Sequence, residues 1–133
     1  MLQPAPGQRQ QWALAPEQFL RVYTADEMRS ELGAIKAGAD DAEFHRAWQR
    51  VEAYLDAQAP EFILMQCGAD SLAGDPITHL AWTEEAHAHA AARLCVLAEK
   101  HCAGRIIGTG GGGYNRRNLA RAWTRVVQSF VEA

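Results

Sequence analysis

Apolar residues recur at helical spacing in three stretches of this chain, and two short apolar runs separate them. The first stretch begins after Asp40, which suits an N-cap because Glu43 follows three residues later. Its apolar face consists of Phe44, Ala47, Trp48, Val51, Tyr54 and Leu55. Pro60 marks its end. The pattern therefore predicts an amphipathic helix between Asp40 and Pro60.

The second and third helical stretches follow the same logic. Thr83 suits an N-cap because Glu84 and Glu85 come directly after it, and we expect this helix to run to about Lys100. Its inward positions are Ala86, Ala90, Leu94, Leu97 and Ala98. The last helix has a predicted apolar face made of Leu119, Ala122, Trp123, Val126, Val127 and Phe130. Both helices are therefore expected to bury one side.

The two apolar runs between the helices predict strands. Residues 62–67 are apolar apart from Gln66 and are bounded by Pro60 and Gly68, as is typical of a buried strand. A second short strand begins at Arg105. The resulting order of helix, strand, helix, strand and helix predicts two strand–helix units of an α/β fold with parallel strands.

A loop with unusual composition follows each strand. Residues 68–76 are rich in turn formers, and residues 108–113 contain five glycines in six positions. In parallel sheets, the loops that leave the carboxyl ends of the strands hold the ligands. We therefore expect the two loops to lie side by side at one edge of the sheet.

Each loop carries one residue with candidate chemistry, and each has a simpler explanation. Asp70 could bind a metal, act as a base or cap a turn, and capping is the commoner role. Tyr114 ends the glycine run, and its hydroxyl could be a satisfied core group or a donor to an oxyanion. Asp75, before Pro76, is typical of a turn. Phosphate binding by the glycines is a weaker alternative, because no Gly-Lys-Ser or Gly-Lys-Thr follows them.

Composition and the remaining polar residues narrow the class of protein. The formal net charge of −3 without a basic stripe gives no reason to expect nucleic acid as a partner. No apolar run suits a membrane span, and residues 1–11 lack the core of a secretion signal. Three cysteines without CxxC spacing predict reduced thiols and a cytoplasmic location. The histidines form no obvious ligand set, since His87 and His89 point to different sides of a helix and His101 is expected to be exposed.

Two longer motifs resemble one enzyme family. Residues 66–75 read QCGADSLAGD, which is similar to a stretch of class I histone deacetylases and acetoin utilisation deacetylases. Residues 110–115 read GGGGYN and resemble the family's glycine–tyrosine motif, which residues 117–124 continue. The resemblance covers about residues 37 to 127. It implies an arginase-like α/β fold in which residues 37–133 form the C-terminal part of a deacetylase domain. Residues 1–36 match poorly and are expected to be partly disordered or to hold a short helix.

The resemblance also implies roles for individual residues. Members of the family hydrolyse an acetyl-lysine-type amide or a related acylated amine with zinc. Matched to the first motif, Asp70 is a zinc ligand. Matched to the second, Tyr114 hydrogen-bonds the substrate carbonyl. Ile77, Gly112 and Gly113 then correspond to the walls of the substrate channel.

The sequence departs from the family where the rest of the zinc site should be. The family takes a second aspartate and a histidine from an Asp-x-His motif and uses a His-His pair for acid–base chemistry. No Asp-x-His occurs in this sequence, and residues 1–36 contain no histidine. Since catalytic zinc needs three protein ligands, we expect no tight zinc binding and no activity from this chain alone. It is then a fragment or truncated deacetylase, or another chain such as an upstream deacetylase segment supplies the rest. The alternative is a non-catalytic interaction module, whose exposed strand edge would favour self-association.

Overall fold

The computed structural model describes residues 35–133. Its elements are α1 (Asp41–Gln58), β1 (Ile63–Gln66), a turn of 3-10 helix (Ala69–Ser71), α2 (Glu84–Cys102), β2 (Ile106–Thr109) and α3 (Arg116–Glu132). This is the order that the sequence predicts, with the 3-10 turn added inside the first loop. The expectations for residues 1–34 lie outside the described part of the chain. No helix in that part is long and apolar enough to cross a membrane.

The helix starts are set by side-chain caps. Asp40 Oδ1 accepts from the backbone N–H groups of Ala42 and Glu43 at 3.0 and 3.1 Å, and Thr83 Oγ1 accepts from Glu85 at 3.3 Å. These bonds satisfy donors that have no partner within the first turn of a helix. Both predicted N-caps are therefore confirmed.

The two strands lie parallel and directly beside each other. Ile63 is opposite Ile106, and Gln66 is opposite Thr109. Along β1, Ile63 and Met65 are buried whereas Leu64 and Gln66 are exposed, because successive side chains point to opposite faces of a sheet. One face of the sheet therefore faces the helices, and the other presents apolar residues that include Leu64.

The core lies between the buried face of the sheet and the helices. Helix α2 is central, since it packs against α1, α3 and both strands. Ala91 and Ala98 are fully buried on α2, and such small side chains let neighbouring elements approach closely. The buried cluster contains Phe44, Leu55, Ile63, Met65, Cys67, Ala86, Ala90, Ala91, Leu94, Leu97, Ala98, Cys102 and Val126.

The apolar face predicted for the last helix is too wide. Ala122 and Val126 are buried, but Leu119 and Val127 are 40% and 52% exposed. The fully buried stripe on α3 runs through Asn118, Ala122 and Val126 at a spacing of four residues. Leu119 and Val127 lie to the side of this stripe.

His101 also differs from its predicted exposure. Its side chain is largely buried, and Nε2 lies 2.7 Å from Asp56 Oδ1, which also accepts from Lys100 Nζ at 2.6 Å. These contacts arise because α1 packs along α2 and brings Asp56 to the last turn of α2. They tie the two helices together at that end.

The neighbouring valines of α3 test this packing. We expect Val126→Ala to lower the free energy of unfolding by about 2 kcal/mol, because two buried methyl groups are lost and a cavity remains. Val127→Ala is the matched control and should stay within about 0.5 kcal/mol of the parent. Urea denaturation measures both values. Equal losses for the two variants would contradict the assignment of the buried face.

Candidate active site

The two loops at the carboxyl ends of the strands lie side by side, as the sequence predicts. The backbone N–H of Ala69 donates to the carbonyl of Gly112 at 2.7 Å, and the N–H of Tyr114 donates to Asp75 Oδ2 at 2.9 Å. A third bond runs from Asn115 Nδ2 to the carbonyl of Gly74 at 3.2 Å. The first loop is thus joined to the second along its length.

Glycines of both loops make room for Asp70. A Cβ added to Gly112 would overlap the Asp70 carboxylate, and one added to Gly68 would lie 2.7 Å from Asp70 Oδ1. Gly113 has φ +140°, and its Cβ would meet that of Ala69 at 3.1 Å. Glycine is therefore needed here for close approach, so that the Asp70 carboxylate lies directly against the backbone of the other loop.

Asp70 belongs to the short 3-10 turn that follows β1 and is half-buried. Thr78 Oγ1 donates a short hydrogen bond to the Asp70 carbonyl. The next residue, Ser71, contacts His87 Nε2 through its hydroxyl at 2.8 Å and lies 3.4 Å from the Gly68 carbonyl. The turn that presents Asp70 is therefore held from two sides.

His87 supports the turn of the candidate site through Ser71, a contact that the sequence pattern did not predict. It is buried on α2 directly beneath the 3-10 turn. Burial lowers the pKa of His87 below its usual value of 6.5, and the negative charges of Asp70 and Asp41 offset part of this effect. Its helical spacing with Ala91, Leu94 and Ala98 was the signal that it points inward.

Asp75 forms the turn that the sequence predicts and also binds the second loop. Only 8% of the residue is exposed, and Oδ1 accepts from the N–H groups of Ile77 and Thr78 while Oδ2 accepts from Tyr114. Desolvation acts to raise the pKa of Asp75, but these backbone donors together lower it below 3.8. The carboxylate is thus held as an anion between the loops.

The predicted site residues fall into two groups. Asp70, Gly112 and Gly113 are brought together by direct packing of the two loops. Tyr114 and Ile77 are 60% and 61% exposed, and the backbone of each is held by the same Asp75 carboxylate. All five residues therefore belong to one loop cluster, while their individual roles remain predictions.

The cluster does not by itself make a complete metal site. Among residues 35–133, no group of three or more His, Cys, Asp or Glu side chains is placed to hold a metal ion. A catalytic zinc site uses three protein ligands and an open position. The role of Asp70 as a metal ligand stays a prediction.

Comparison with known proteins identifies the family. Residues 27–130 match the family model of the histone deacetylase domain. The chain belongs to the histone deacetylase family. It is 36% identical over 91 residues to histone deacetylase 9 of Arabidopsis thaliana, covering 68% of this chain and 20% of that protein. It is 35% identical over 97 residues to the acetoin utilization protein AcuC of Bacillus subtilis, covering 69% of this chain and 24% of that protein.

Solved structures agree on the fold. The HD domain of HDA15 superposes with a TM-score of 0.65 at 24% identity, covering 73% of this chain and 27% of that one. The histone deacetylase Clr3 gives the same TM-score at 28% identity, covering 73% of this chain and 16% of that one. The described residues are therefore an α/β portion of a histone deacetylase fold, as predicted. The chain spans about a quarter or less of the curated relatives described above.

Two glycines of the second loop test the packing around Asp70. Gly112→Ala places a methyl group against the Asp70 carboxylate, and we expect it to destabilise the protein by about 1–3 kcal/mol. Gly110→Ala is the matched control, because its nearest contact would be Trp123 at 4.0 Å. Thermal denaturation should show a lower Tm for Gly112→Ala only. A parent-like Tm for Gly112→Ala would mean that the loops do not approach this closely.

The buried imidazole of His87 predicts a dependence of stability on pH. Because its pKa is lower in the folded than in the unfolded protein, the unfolded state binds the extra proton as the pH falls through 6.5. The contribution of His87 to the free energy of unfolding is therefore complete above pH 6.5. It decreases as the pH falls from 6.5 to the lower pKa of His87 in the folded protein. Urea denaturation at pH 7.5 and 5.5 should show a smaller pH effect in His87→Gln than in the parent. The parent must be compared with His87→Gln because burial also lowers the pKa of His89, which makes its own contribution to the pH effect. An equal pH effect in both proteins would contradict the prediction for His87.

Proposed function

We propose that this chain supplies one half of a zinc-dependent deacetylase active site. Asp70 serves as one metal ligand, and Tyr114 donates a hydrogen bond to the carbonyl oxygen of an acylated amine. The observation that carries the proposal is the packing of the Asp70 carboxylate against Gly112, two residues before Tyr114. Membership of the histone deacetylase family supports it.

The chemistry assigned to each residue follows from its type and position. A zinc ion held in the completed site would activate water and polarise the scissile carbonyl. Tyr114 Oη donates to the carbonyl oxygen as negative charge develops there, and this preorganised donor stabilises the tetrahedral state. Its exposed side chain is free to reach a substrate from the loop.

The substrate class follows from the walls around these two residues. Ile77 is an exposed apolar residue of the loop cluster, and an apolar wall suits the methylene stem of an acylated lysine or polyamine. Gly112 and Gly113 leave the backbone open to a narrow acyl group, since neither carries a side chain. The proposed substrate is therefore an acetyl-lysine-type amide.

The missing half of the site is proposed to come from outside this sequence. The sequence contains no Asp-x-His motif, and Asp70 is one ligand where three are needed. The open face of the sheet exposes Phe62, Leu64 and Ile107, and such an apolar surface is suited to bind another polypeptide. We propose an upstream deacetylase segment as the partner, since a second copy of this chain would bring the same sequence without the motif. Three buried free cysteines, Cys67, Cys95 and Cys102, support a cytoplasmic location for the complex.

The same exposed face supports a second candidate function, a non-catalytic interaction module that retains the fold. Light scattering at increasing concentration distinguishes the two functions when it is combined with metal analysis. Self-association without zinc or activity under any pairing would favour the module. A concentration-independent monomer would count against it.

Reconstitution tests the deacetylase proposal. The chain alone should bind less than stoichiometric zinc and should not deacetylate an acetyl-lysine peptide. Coexpression with the part of Bacillus subtilis AcuC that precedes the matched region should restore both properties. In that complex, Asp70→Ala should lose zinc and activity, whereas Tyr114→Phe should keep zinc and lose activity by about 10²–10³-fold.

Tyr54→Phe is the matched control, since Tyr54 packs against the helical core away from the loops. Its activity should equal that of the parent complex. Stoichiometric zinc in the chain alone would show that unrecognised ligands exist. Full activity of Tyr114→Phe would remove the proposed role of the tyrosine.

A further inference from the structure

We propose that Asp75 is a positioning residue of this site, whose carboxylate sets Tyr114 and Ile77 in place relative to Asp70. The catalytic meaning of this role rests on the proposed function of Tyr114. The structural role does not, because it concerns hydrogen bonds within the described chain.

The two oxygens of Asp75 act on different loops. Oδ1 accepts from the N–H of Ile77 at 2.9 Å and from that of Thr78 at 3.4 Å, within the first loop. Oδ2 accepts from the N–H of Tyr114 at 2.9 Å, in the second loop. Because the residue is only 8% exposed, little water competes for these bonds.

An ordinary turn accounts for only half of this arrangement. An aspartate followed by proline often accepts from the backbone two residues later, and the bond from Ile77 to Oδ1 is of that kind. The bond from Tyr114 to Oδ2 joins residues 39 positions apart and has no role in forming that turn. This bond to Tyr114 is the observation that indicates a positioning role for Asp75.

A continuous hydrogen-bonded path runs from Asp70 to Tyr114 through Asp75. The Thr78 hydroxyl donates to the Asp70 carbonyl, and the Thr78 N–H donates to Asp75 Oδ1. Asp75 Oδ2 then receives the N–H of Tyr114. Two side chains of the first loop, Asp75 and Thr78, therefore connect the proposed metal ligand Asp70 with the proposed carbonyl donor Tyr114.

Tyr114 needs such a support because no strand holds its backbone. β2 ends at Thr109 and α3 begins at Arg116, so Tyr114 lies between them, directly after Gly113 with its φ of +140°. The position of a reacting group must be held to within a fraction of an ångström for full effect. The Asp75 carboxylate restrains the backbone of Tyr114 by accepting a hydrogen bond from its N–H.

Charge and geometry both require a carboxylate. An aspartate offers two acceptor oxygens, whereas an asparagine offers one acceptor and turns an NH₂ donor towards the remaining N–H groups. Hydrogen bonds to a charged acceptor are also about twice as strong as neutral ones. Asp75→Asn should therefore weaken the bond from the Tyr114 N–H in either orientation of the amide, because the acceptor loses its charge, with little change in side-chain volume.

Hydrogen exchange at the Tyr114 amide tests the structural part directly. The chain has three tyrosines, so ¹⁵N-tyrosine labelling gives few signals, and Tyr114→Phe identifies the one that belongs to Tyr114. In the parent, this amide should exchange at least about tenfold more slowly than an unstructured one, since it is bonded to a buried anion. Unprotected exchange in the parent would overturn the proposal without any variant.

Asp75→Asn should raise the exchange rate of the Tyr114 amide by about tenfold or more. Asp40→Asn is the matched control, because Asp40 also accepts from two backbone N–H groups, those of Ala42 and Glu43, but only within its own helix start. It should leave the Tyr114 signal unchanged. Equal exchange rates in the parent and Asp75→Asn would overturn the proposal.

Kinetics of the reconstituted complex test the catalytic part. Asp75→Asn should lower kcat by about tenfold and leave zinc content and KM unchanged, because it displaces a group that acts in the transition state. In a Tyr114→Phe background the same change should have less than about a twofold effect, since residues that act together are non-additive. A full, additive loss in both backgrounds would mean that Asp75 is merely structural. A complex with no activity at all would overturn the proposed function, while the exchange experiment would still decide whether Asp75 holds Tyr114.

Discussion

The hydrogen bond from the Ala69 N–H to the Gly112 carbonyl is the contact on which the site depends. It continues the pairing of β1 and β2 beyond the strands, where Cys67 still donates to Thr109, and so brings the two loops to one edge of the sheet. Parallel strands make this possible because both of their carboxyl ends meet at that edge. The glycines then allow the backbone of one loop to touch the carboxylate of the other, which any larger residue at 112 would prevent.

The helices pack against the sheet and support the edge at which the two loops meet. Helix α2 packs between α1 and α3 and against both strands, and its His87 reaches the turn that presents Asp70 through Ser71. Around this core, ion pairs join the helices, such as Arg121 with Glu84 and Arg125 with Glu85 between α3 and the start of α2. Exposed pairs of this kind contribute little stability each. The buried apolar contacts therefore fix the helix positions, and the polar groups at the loops hold the two loops together.

The loop cluster is closely packed, but it lies beside exposed apolar and aromatic side chains. Asp70 and Asp75 are well supported, yet Tyr114, Ile77 and the sheet residues Leu64 and Ile107 remain exposed. The chain spans about a quarter or less of the curated relatives that it matches. Closely packed loops therefore lie beside exposed apolar residues of the sheet.

The sequence by itself determined the helices, the strands and the adjacency of the two loops, because hydrophobic periodicity and capping are local properties. Its motifs also pointed to Asp70 and Tyr114. Only the tertiary structure decided that Val127 and Leu119 face outward, since the width of a buried stripe depends on the neighbouring helix. It alone assigned His87 to the turn that contains Asp70, and the second oxygen of Asp75 to Tyr114. Those bonds join residues far apart in the chain, and no local pattern encodes a partner that packing brings into reach.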